Sequence, residues 1–367
     1  MSRRQLTSFQ WNGTEWSSFD GSSNLHNEEN EITRIATFNV LADCFPWFIE
    51  MAIQSNHRFE WLCNEIIKLN PTILGLNEVT PSVLERLQKC SFIRENYFLT
   101  ESVDENIDRK CVNGLLVPHG CLILSKLPVL EVFGISFTDS RREAIVVKVQ
   151  LDKTPVHFCS QHTTAYQRPK NAKLRAGQIR DIVDVLQPFG LPFVIMGDLN
   201  LHYNYEDSIA IEHEFIDAWA QTHFARTHPF NDGQPGYTFD ARKNTLIPYY
   251  IPGECRQMRL DRILFSKGFP AFAIAPCMLW ANEPIKAEHY LFTSDHFGLC
   301  IDVVPTADEN QTEVISLGEC DPSADEHLRR NIENDTDRGD FQIGFARRSM
   351  ALTSHLLWLG AKSVGLR

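Results

Sequence analysis

Carboxylate, amide and imidazole side chains recur along this chain at points where runs of apolar residues end. In chain order these residues are Asn39, Glu78, His162, Asp198, Asn200, Asp261, Asp295 and His296. A polar residue at the end of an apolar strand is held rigidly by the scaffold and can face a cleft. Each residue alone also has an ordinary structural explanation, such as a turn, a helix start or a core histidine. Core packing alone is a poor explanation for the whole ordered set.

Together these residue types supply what metal-assisted hydrolysis of a phosphoester requires. Carboxylate oxygens bind Mg²⁺ while it keeps several waters, and a further carboxylate can orient or deprotonate the attacking water. Histidine and asparagine donors can neutralise charge on the phosphate oxygens. Asp198 and Asn200 lie two residues apart in GDLN, so an extended segment would point both into one site. Asp261 interrupts an apolar strand and needs a buried partner, for which a catalytic histidine is suitable.

The segments between these residues predict alternating strands and helices. Strands are predicted at 32–42, 72–79, 120–126, 143–151, 156–163, 191–200, 258–266 and 296–304. Helices are predicted at 57–69, 81–90 and 170–187. Thr80 and Pro81 indicate the start of the second helix, as N-cap and first helical residue. Several strands are apolar on both faces, which predicts two packed sheets with helices outside.

The composition indicates a packed protein without membrane spans. Hydrophobic residues make up 43% of the 367 residues, enough for a sizeable core. No stretch approaches the ~18 uninterrupted apolar residues of a membrane helix, and the start lacks the apolar region of a secretory signal. Ten cysteines without a CxxC pair favour free thiols over a zinc site or disulfides. We therefore expect an intracellular protein, nuclear or cytoplasmic and not secreted.

Shifts in composition predict four segments: a polar lead-in at 1–31, a catalytic domain at 32–304, an acidic linker at 305–340, and an amphipathic helix or the start of a further segment at 341–367. The last segment could recruit a protein partner. The net charge of −12 argues against a general nucleic-acid coat protein, which is normally basic. A negative net charge still allows the protein to bind one phosphate locally. The oligomeric state stays open.

Six motifs resemble those of the endonuclease/exonuclease/phosphatase superfamily: FNVLAD, GLNEV, HTTAY, GDLN, LDRILFS and SDHFG. The resemblance covers residues 32–304 and implies an α/β fold like that of deoxyribonuclease I, a four-layer sandwich of two packed mixed β-sheets flanked by helices. It implies that Mg²⁺, or Mn²⁺, is bound by Glu78 with Asp295 and Asn39. It also implies a catalytic set of Asp198, Asn200, His162, His296 and Asp261.

Within the superfamily the chain looks most like the tyrosyl-DNA phosphodiesterases, through HTTAYQRPKNAKLRAGQI, GDLNL and GYTFD leading into MRLDRILFS. This favours an enzyme that removes a 5′ adduct such as a tyrosyl peptide from a nucleic-acid end. Candidate substrate contacts are Phe239, Tyr166, His202 and Arg262.

Two other functions stay open. FNVLAD is nearer to deadenylase-like members, so an RNA 3′-exonuclease or RNA-processing phosphodiesterase is an alternative. A third is an inactive module that binds nucleic acid or protein, against which the complete catalytic set argues. The sequence leaves DNA versus RNA and 5′ versus 3′ polarity undecided.

Overall fold

The computed structural model describes residues 2–21, 32–104, 110–138, 142–226, 231–285, 290–305, 315–316 and 321–335. The predicted segment at 341–367, with its suggested partner role, lies outside the described residues. Among the described residues no helix is long and apolar enough to cross a membrane.

The strands are β1 (Ser2–Gln5), β2 (Ser8–Trp11), β3 (Trp16–Phe19), β4 (Thr33–Asn39), β5 (Ile73–Val79), β6 (Phe98–Leu99), β7 (Val103–Asp104), β8 (Lys110–Cys111), β9 (Gly120–Ser125), β10 (Val129–Ser136), β11 (Glu143–Leu151), β12 (Thr154–Ser160), β13 (Phe193–Asp198), β14 (Ile216–Asp217), β15 (Phe239–Asp240), β16 (Gln257–Met258), β17 (Asp261–Phe265), β18 (Ala271–Ala273), β19 (Met278–Trp280), β20 (Gly298–Pro305) and β21 (Ile315–Ser316). The α-helices are α1 (Trp47–Ile53), α2 (Ser55–Leu69), α3 (Pro81–Lys89), α4 (Ser91–Asn96), α5 (Pro169–Leu186), α6 (Ser208–Glu212), α7 (Ala218–His223), α8 (Leu246–Tyr250) and α9 (Pro322–Asp335).

Two mixed sheets form the centre of the molecule. Within the described ranges, the first sheet has the strand order β1-β10-β11-β12-β13-β17-β14, and the second has β21-β18-β20-β4-β5-β9-β6-β2-β3, with β19 also paired to β20. One apolar cluster joins the sheets, and two more lie on their outer faces, where they include α5 on one side and α2 and α3 on the other. This arrangement confirms the four-layer α/β sandwich.

Strand β11 shows why its sequence reads as a nearly continuous apolar run. Ile145 and Val147 face the layer between the sheets, whereas Ala144 and Val146 face the outer layer with α5. Because successive strand residues point to opposite faces, a strand covered on both faces must be apolar at every position. The start of α3 also matches its prediction: Thr80 Oγ1 accepts a hydrogen bond from Val83 N at 3.3 Å, and Pro81 follows.

Two regions contain more regular structure than the sequence predicted. In the predicted polar lead-in, β1 pairs with β10 of the first sheet, and β2 and β3 extend the second. In the predicted acidic linker lies α9, which buries Ala324 and Leu328. Edge strands and a helix with few apolar residues give only a weak periodic signal. The boundaries of the functional domain stay a prediction.

Candidate active site

The central strands of both sheets end at one edge of the sandwich. Strand β4 ends at Asn39 and β13 ends at Asp198. Both side chains face the layer between the sheets, and Asn39 Nδ2 donates to Asp198 Oδ2 at 3.0 Å. Gly197, directly before Asp198, lets β13 pass close to the backbone that follows β12, because its φ is +139° and a Cβ there would lie 2.0 Å from the carbonyl oxygen of Gln161.

Glu78 reaches the same edge through an irregularity in β5. Regular alternation after Asn77 would turn its side chain away from the layer between the sheets. Instead Glu78 has a φ of +60°, and the pairing of β5 with β9 shifts between Leu76 and Val79. The carboxylate then accepts hydrogen bonds from Asn39 Nδ2 at 3.3 Å and from Ala42 N at 3.1 Å.

His296 and Asp261 form a buried pair beside Asp198. Asp261 Oδ2 lies 2.7 Å from His296 Nδ1, and the amide of Asp261 donates to Thr238 Oγ1 at 3.0 Å. The other ring nitrogen, Nε2, lies 3.9 Å from Asp198 Oδ2. Burial lowers the pKa of His296, but the carboxylates of Asp261, Asp198 and Asp295 outweigh it and raise that pKa well above its ordinary value. The ring is therefore a cation held in one orientation.

His162 approaches Asp198 from another side with the opposite protonation. Its Nε2 lies 3.4 Å from Asp198 Oδ2 and 3.9 Å from Glu78 Oε1. Burial, together with Arg142, holds the pKa of His162 well below its ordinary value, so the ring is neutral at neutral pH. Burial raises the pKa of Asp198 to about 7, against the opposing effect of the charge on His296. One carboxylate thus lies between a neutral and a charged imidazole.

Asn200 and Asp295 lie next to this cluster. Asn200 is buried, but β13 ends at Asp198 and Asn200 has a φ of +49°, so the predicted extended alternation does not reach it. Its amide N donates to Asp198 Oδ1 at 3.0 Å, and its side chain donates to Thr163 O at 3.4 Å. Asp295 accepts hydrogen bonds from Tyr250 Oη at 2.7 Å and from Ser294 Oγ at 3.2 Å.

The four predicted substrate contacts lie in different environments. Tyr166 is 64% exposed, whereas Phe239 is buried with its ring edge-on to His296 at a centroid distance of 5.6 Å. Both ring nitrogens of His202 are buried without a hydrogen-bond partner among the described residues, and burial lowers the pKa of His202 to about 3. Arg262 is buried on the side of β17 that faces away from the cleft, where it forms ion pairs with two buried aspartates.

Two buried arginines that the sequence patterns did not single out hold the backbone around the site. Arg58 donates to Val40 O, Leu41 O and Thr293 O, each at 2.9 Å, and burial lowers its pKa to about 10. It thereby joins the segment after Asn39 to the segment before Asp295. A usable signal was its position on the apolar face of α2.

Arg175 does the same for two other loops. It makes two hydrogen bonds to Glu206, at 2.7 and 2.8 Å. It also donates to Thr164 O at 3.0 Å and to Tyr166 O at 3.1 Å. The loop after His162 is therefore tied to the loop after GDLN.

Two further groups that the sequence analysis did not name lie near His162. The ring of His119 lies 6.2 Å from that of His162, centroid to centroid. Arg142 Nη1 donates to His162 O at 3.1 Å. They add polar groups and positive charge to this side of the cleft.

Two sets of residues could hold a divalent cation. Ligand atoms of Asp198, Asp261 and His296 lie within 4.8 Å of one another, but a cation there would compete with the hydrogen bond between Asp261 and His296. Glu78 fits better: its side chain is 21% exposed, and it offers hard carboxylate oxygens. Mg²⁺ prefers such ligands and retains water, so an open carboxylate suits it.

Comparison with known proteins bears on the fold and the family. TDP2 from D. rerio, complexed with single strand DNA product, is 18% identical, with a TM-score of 0.56 over 75% of this chain and 99% of that one. Truncated TDP2 from Caenorhabditis elegans is 18% identical with a TM-score of 0.56, over 74% and 97%. The human Nocturnin catalytic domain is 16% identical with a TM-score of 0.51, over 75% and 95%. These likenesses establish a shared fold.

The sequence itself carries the family signature over most of its length. No curated protein sequence is a significant match. The Endonuclease/Exonuclease/phosphatase family, however, matches residues 36–296, from strand β4 to His296. The match therefore spans every residue of the cluster around Asp198. This chain belongs to the Endonuclease/Exonuclease/phosphatase family.

Proposed function

We propose that this chain is a Mg²⁺-dependent phosphodiesterase, with Mn²⁺ as a substitute, that hydrolyses phosphodiester bonds at nucleic-acid ends. The favoured substrate is a 5′-tyrosyl adduct on DNA or RNA. One observation carries the proposal. Asp198 Oδ2 lies 3.0 Å from Asn39 Nδ2, 3.4 Å from His162 Nε2 and 3.9 Å from His296 Nε2. A carboxylate surrounded by such donors is suited to in-line attack of water on phosphorus.

Asp198 is the group that orients and deprotonates the attacking water. Its Oδ1 accepts the amide hydrogen of Asn200, which fixes the carboxylate plane and directs Oδ2 toward the two histidines. A pKa of about 7 lets this carboxylate accept a proton near neutral pH and release it afterwards.

The two histidines stabilise charge as the phosphorus becomes pentacoordinate. His296 donates from Nε2 to a non-bridging oxygen, and Asp261 keeps it charged and oriented through Nδ1. Neutral His162 donates one further hydrogen bond. Donors fixed in advance stabilise developing charge without reorganisation, and each is typically worth ~10²–10³ in rate.

Glu78 is the principal metal ligand in this proposal, assisted by Asp295 and Asn39. Asn39 would bind the cation through Oδ1, which here accepts a hydrogen bond from Leu41 N at 3.0 Å. A bound Mg²⁺ supplies Lewis acidity and a template for the phosphate oxygens. Asn39 donates to both Glu78 and Asp198, so it keeps the ligand and the base at a fixed separation.

The choice of substrate rests on likeness and on exposed groups. D. rerio TDP2, which shares this fold, has been crystallised with a single strand DNA product. The exposed Tyr166 is available to stack on a base or an aromatic leaving group. An RNA 3′-exonuclease is the second candidate, favoured by the FNVLAD motif. A binding module without activity is the third, and the intact set around Asp198 argues against it.

The deciding experiment compares rates on a 5′-tyrosyl oligonucleotide and an oligo(A) of equal length, with Mg²⁺ and with excess chelator. We expect metal-dependent release of the tyrosyl group to be faster than 3′ shortening. Faster 3′ shortening would place the RNA exonuclease first. Hydrolysis undiminished by chelator would contradict the metal assignment.

A matched pair of variants tests the ligand itself. Glu78→Gln should abolish turnover and weaken Mn²⁺ binding measured by electron paramagnetic resonance. Glu60→Gln, an equal change on the exposed face of α2, should alter neither. Equal Mn²⁺ affinity in both variants would remove Glu78 from the metal site.

A further inference from the structure

Helix α9 lies beyond residues 36–296, which the family matches, yet it packs directly behind the active site. It contacts the helical turn Asn204–Asp207, α6 and α7. Leu328 is 2% exposed and belongs to the same apolar cluster as Leu199 and Leu201. These two leucines flank Asn200 in GDLNL, and α9 contacts the turn Asn204–Asp207 that follows them. Helix α9 therefore packs beside the segment that carries Asp198 and Asn200.

The helix is fixed to the domain by specific contacts at its start and middle. The ring of His327 stacks on Phe224, with centroids 3.8 Å apart and planes at 24°. Ser323 Oγ accepts a hydrogen bond from Arg226 N at 2.7 Å, and Ala324 is buried. The position of α9 is therefore defined by stacking, hydrogen bonding and apolar burial together.

The turn under α9 connects to both sides of the cleft. Glu206 binds Arg175, which in turn holds the carbonyl groups of Thr164 and Tyr166 after His162. Asp207 pairs with Arg262 at 2.9 Å, and Arg262 is adjacent to Asp261 on β17. A shift of this turn would therefore displace the loop after His162 and strand β17, which carries Asp261.

We propose that α9 is a positioning element of the active site, which through Leu328 and the turn Asn204–Asp207 fixes the geometry of Asp198 and of the loop after His162. The catalytic part rests on the function proposed above, whereas the structural part does not. A small misplacement of reacting groups costs up to ~10² in rate, so removal of this support should lower kcat more than it raises KM.

The test compares Leu328→Ala with Leu186→Ala in the full chain. Leu186 is fully buried in the same apolar cluster, but it lies at the end of α5, about 16 Å along the helix from Arg175. Both changes remove the same atoms from the same cluster. We expect Leu328→Ala to lower kcat by about tenfold or more, Leu186→Ala to leave kcat near wild type, and Leu328→Met to restore it.

Hydrogen exchange supplies a readout that does not depend on activity. We expect the amides of Leu199 and Asn200, which donate to Leu260 O and Asp198 Oδ1, to exchange about tenfold faster in Leu328→Ala but not in Leu186→Ala. The proposal would be overturned if these amides exchanged equally fast in the two variants at equal free energies of unfolding. It would also be overturned if they exchanged faster in Leu328→Ala while kcat stayed unchanged. A wild-type chain without hydrolase activity would refute the proposed function, while the exchange comparison still tests the support by α9.

Discussion

Asp198 and Asp217 are both buried aspartates beside strand β17, and their pKa values move in opposite directions. Burial raises the pKa of each. For Asp198 it prevails, and the pKa reaches about 7. For Asp217 the positive charges of Arg259 and Arg262 outweigh it, and the pKa falls to about 2. The difference lies in the charge of the neighbours and not in the depth of burial.

The alternation of β17 separates these two environments. Asp261 faces His296 and the cleft, whereas the next residue, Arg262, faces the opposite side. There its guanidinium binds Asp217 at 3.0 Å and Asp207 at 2.9 Å. One strand therefore presents a carboxylate to the site and a permanent cation to a structural network. A buried carboxylate bound to arginines stays ionised, and one bound mainly to amide and imidazole groups is able to exchange protons.

The largest expected effect is on turnover. Asp198→Asn should lower kcat by about 10³-fold, because the group that accepts the proton of the attacking water is lost. The melting temperature should stay equal to or above that of the wild type, since a buried charge is removed. Steady-state kinetics and thermal denaturation check both parts. Near-normal turnover in a folded variant would place the base elsewhere.

The next effect is on stability. Asp217→Asn should lower the free energy of unfolding by about 3 kcal/mol, because partly buried Arg259 and buried Arg262 lose a charged partner. Asparagine can still accept the hydrogen bond from Ala220 N that caps α7. Denaturant titration measures the loss. Under conditions where the variant is folded, kcat should be near wild type, because Arg262 keeps its ion pair with Asp207. A large loss of kcat at unchanged stability would assign this network to the reaction.

The smallest expected effect is the pH dependence of stability, measured with chelator present. Because the pKa of Asp217 is lowered in the folded chain, its ionised carboxylate stabilises the fold above pH 3.8, the ordinary pKa of aspartate. This contribution is lost as the pH falls toward about 2. It amounts to about 2 kcal/mol. The deficit of Asp217→Asn should therefore be constant from pH 5 to 8 and shrink below pH 4.

Asp198 should show the opposite slope. Its raised pKa means that the folded chain keeps a proton that the unfolded chain releases, so stability falls as the pH rises from 3.8 toward about 7. Asp198→Asn cannot ionise and lacks this loss of stability, so it should gain stability relative to the wild type over that range. Parallel pH profiles for the two variants would contradict the difference drawn between the two aspartates.

Much of the fold follows from periodicity alone. The predicted strand at 143–151 matches β11 (Glu143–Leu151), and the helix predicted at 170–187 matches α5 (Pro169–Leu186) within a residue at each end. Long apolar runs and capping residues are local signals, which is why they can be read without the fold. Strand β10 and the edge strands β1 to β3 were not predicted, because their exposed or irregular faces weaken the alternation.

The sequence by itself determined which residue types the site contains and the order in which the strands deliver them. Asn39, Asp198 and Asp261 lie at or next to strand ends, and strand ends can be read from the chain. Only the tertiary structure decided their geometry. The left-handed conformation of Glu78 and the network that occupies Arg262 depend on contacts between residues far apart in sequence. The pKa values of Asp198 and Asp217 differ for the same reason, since the charges that surround a buried group are set by the fold.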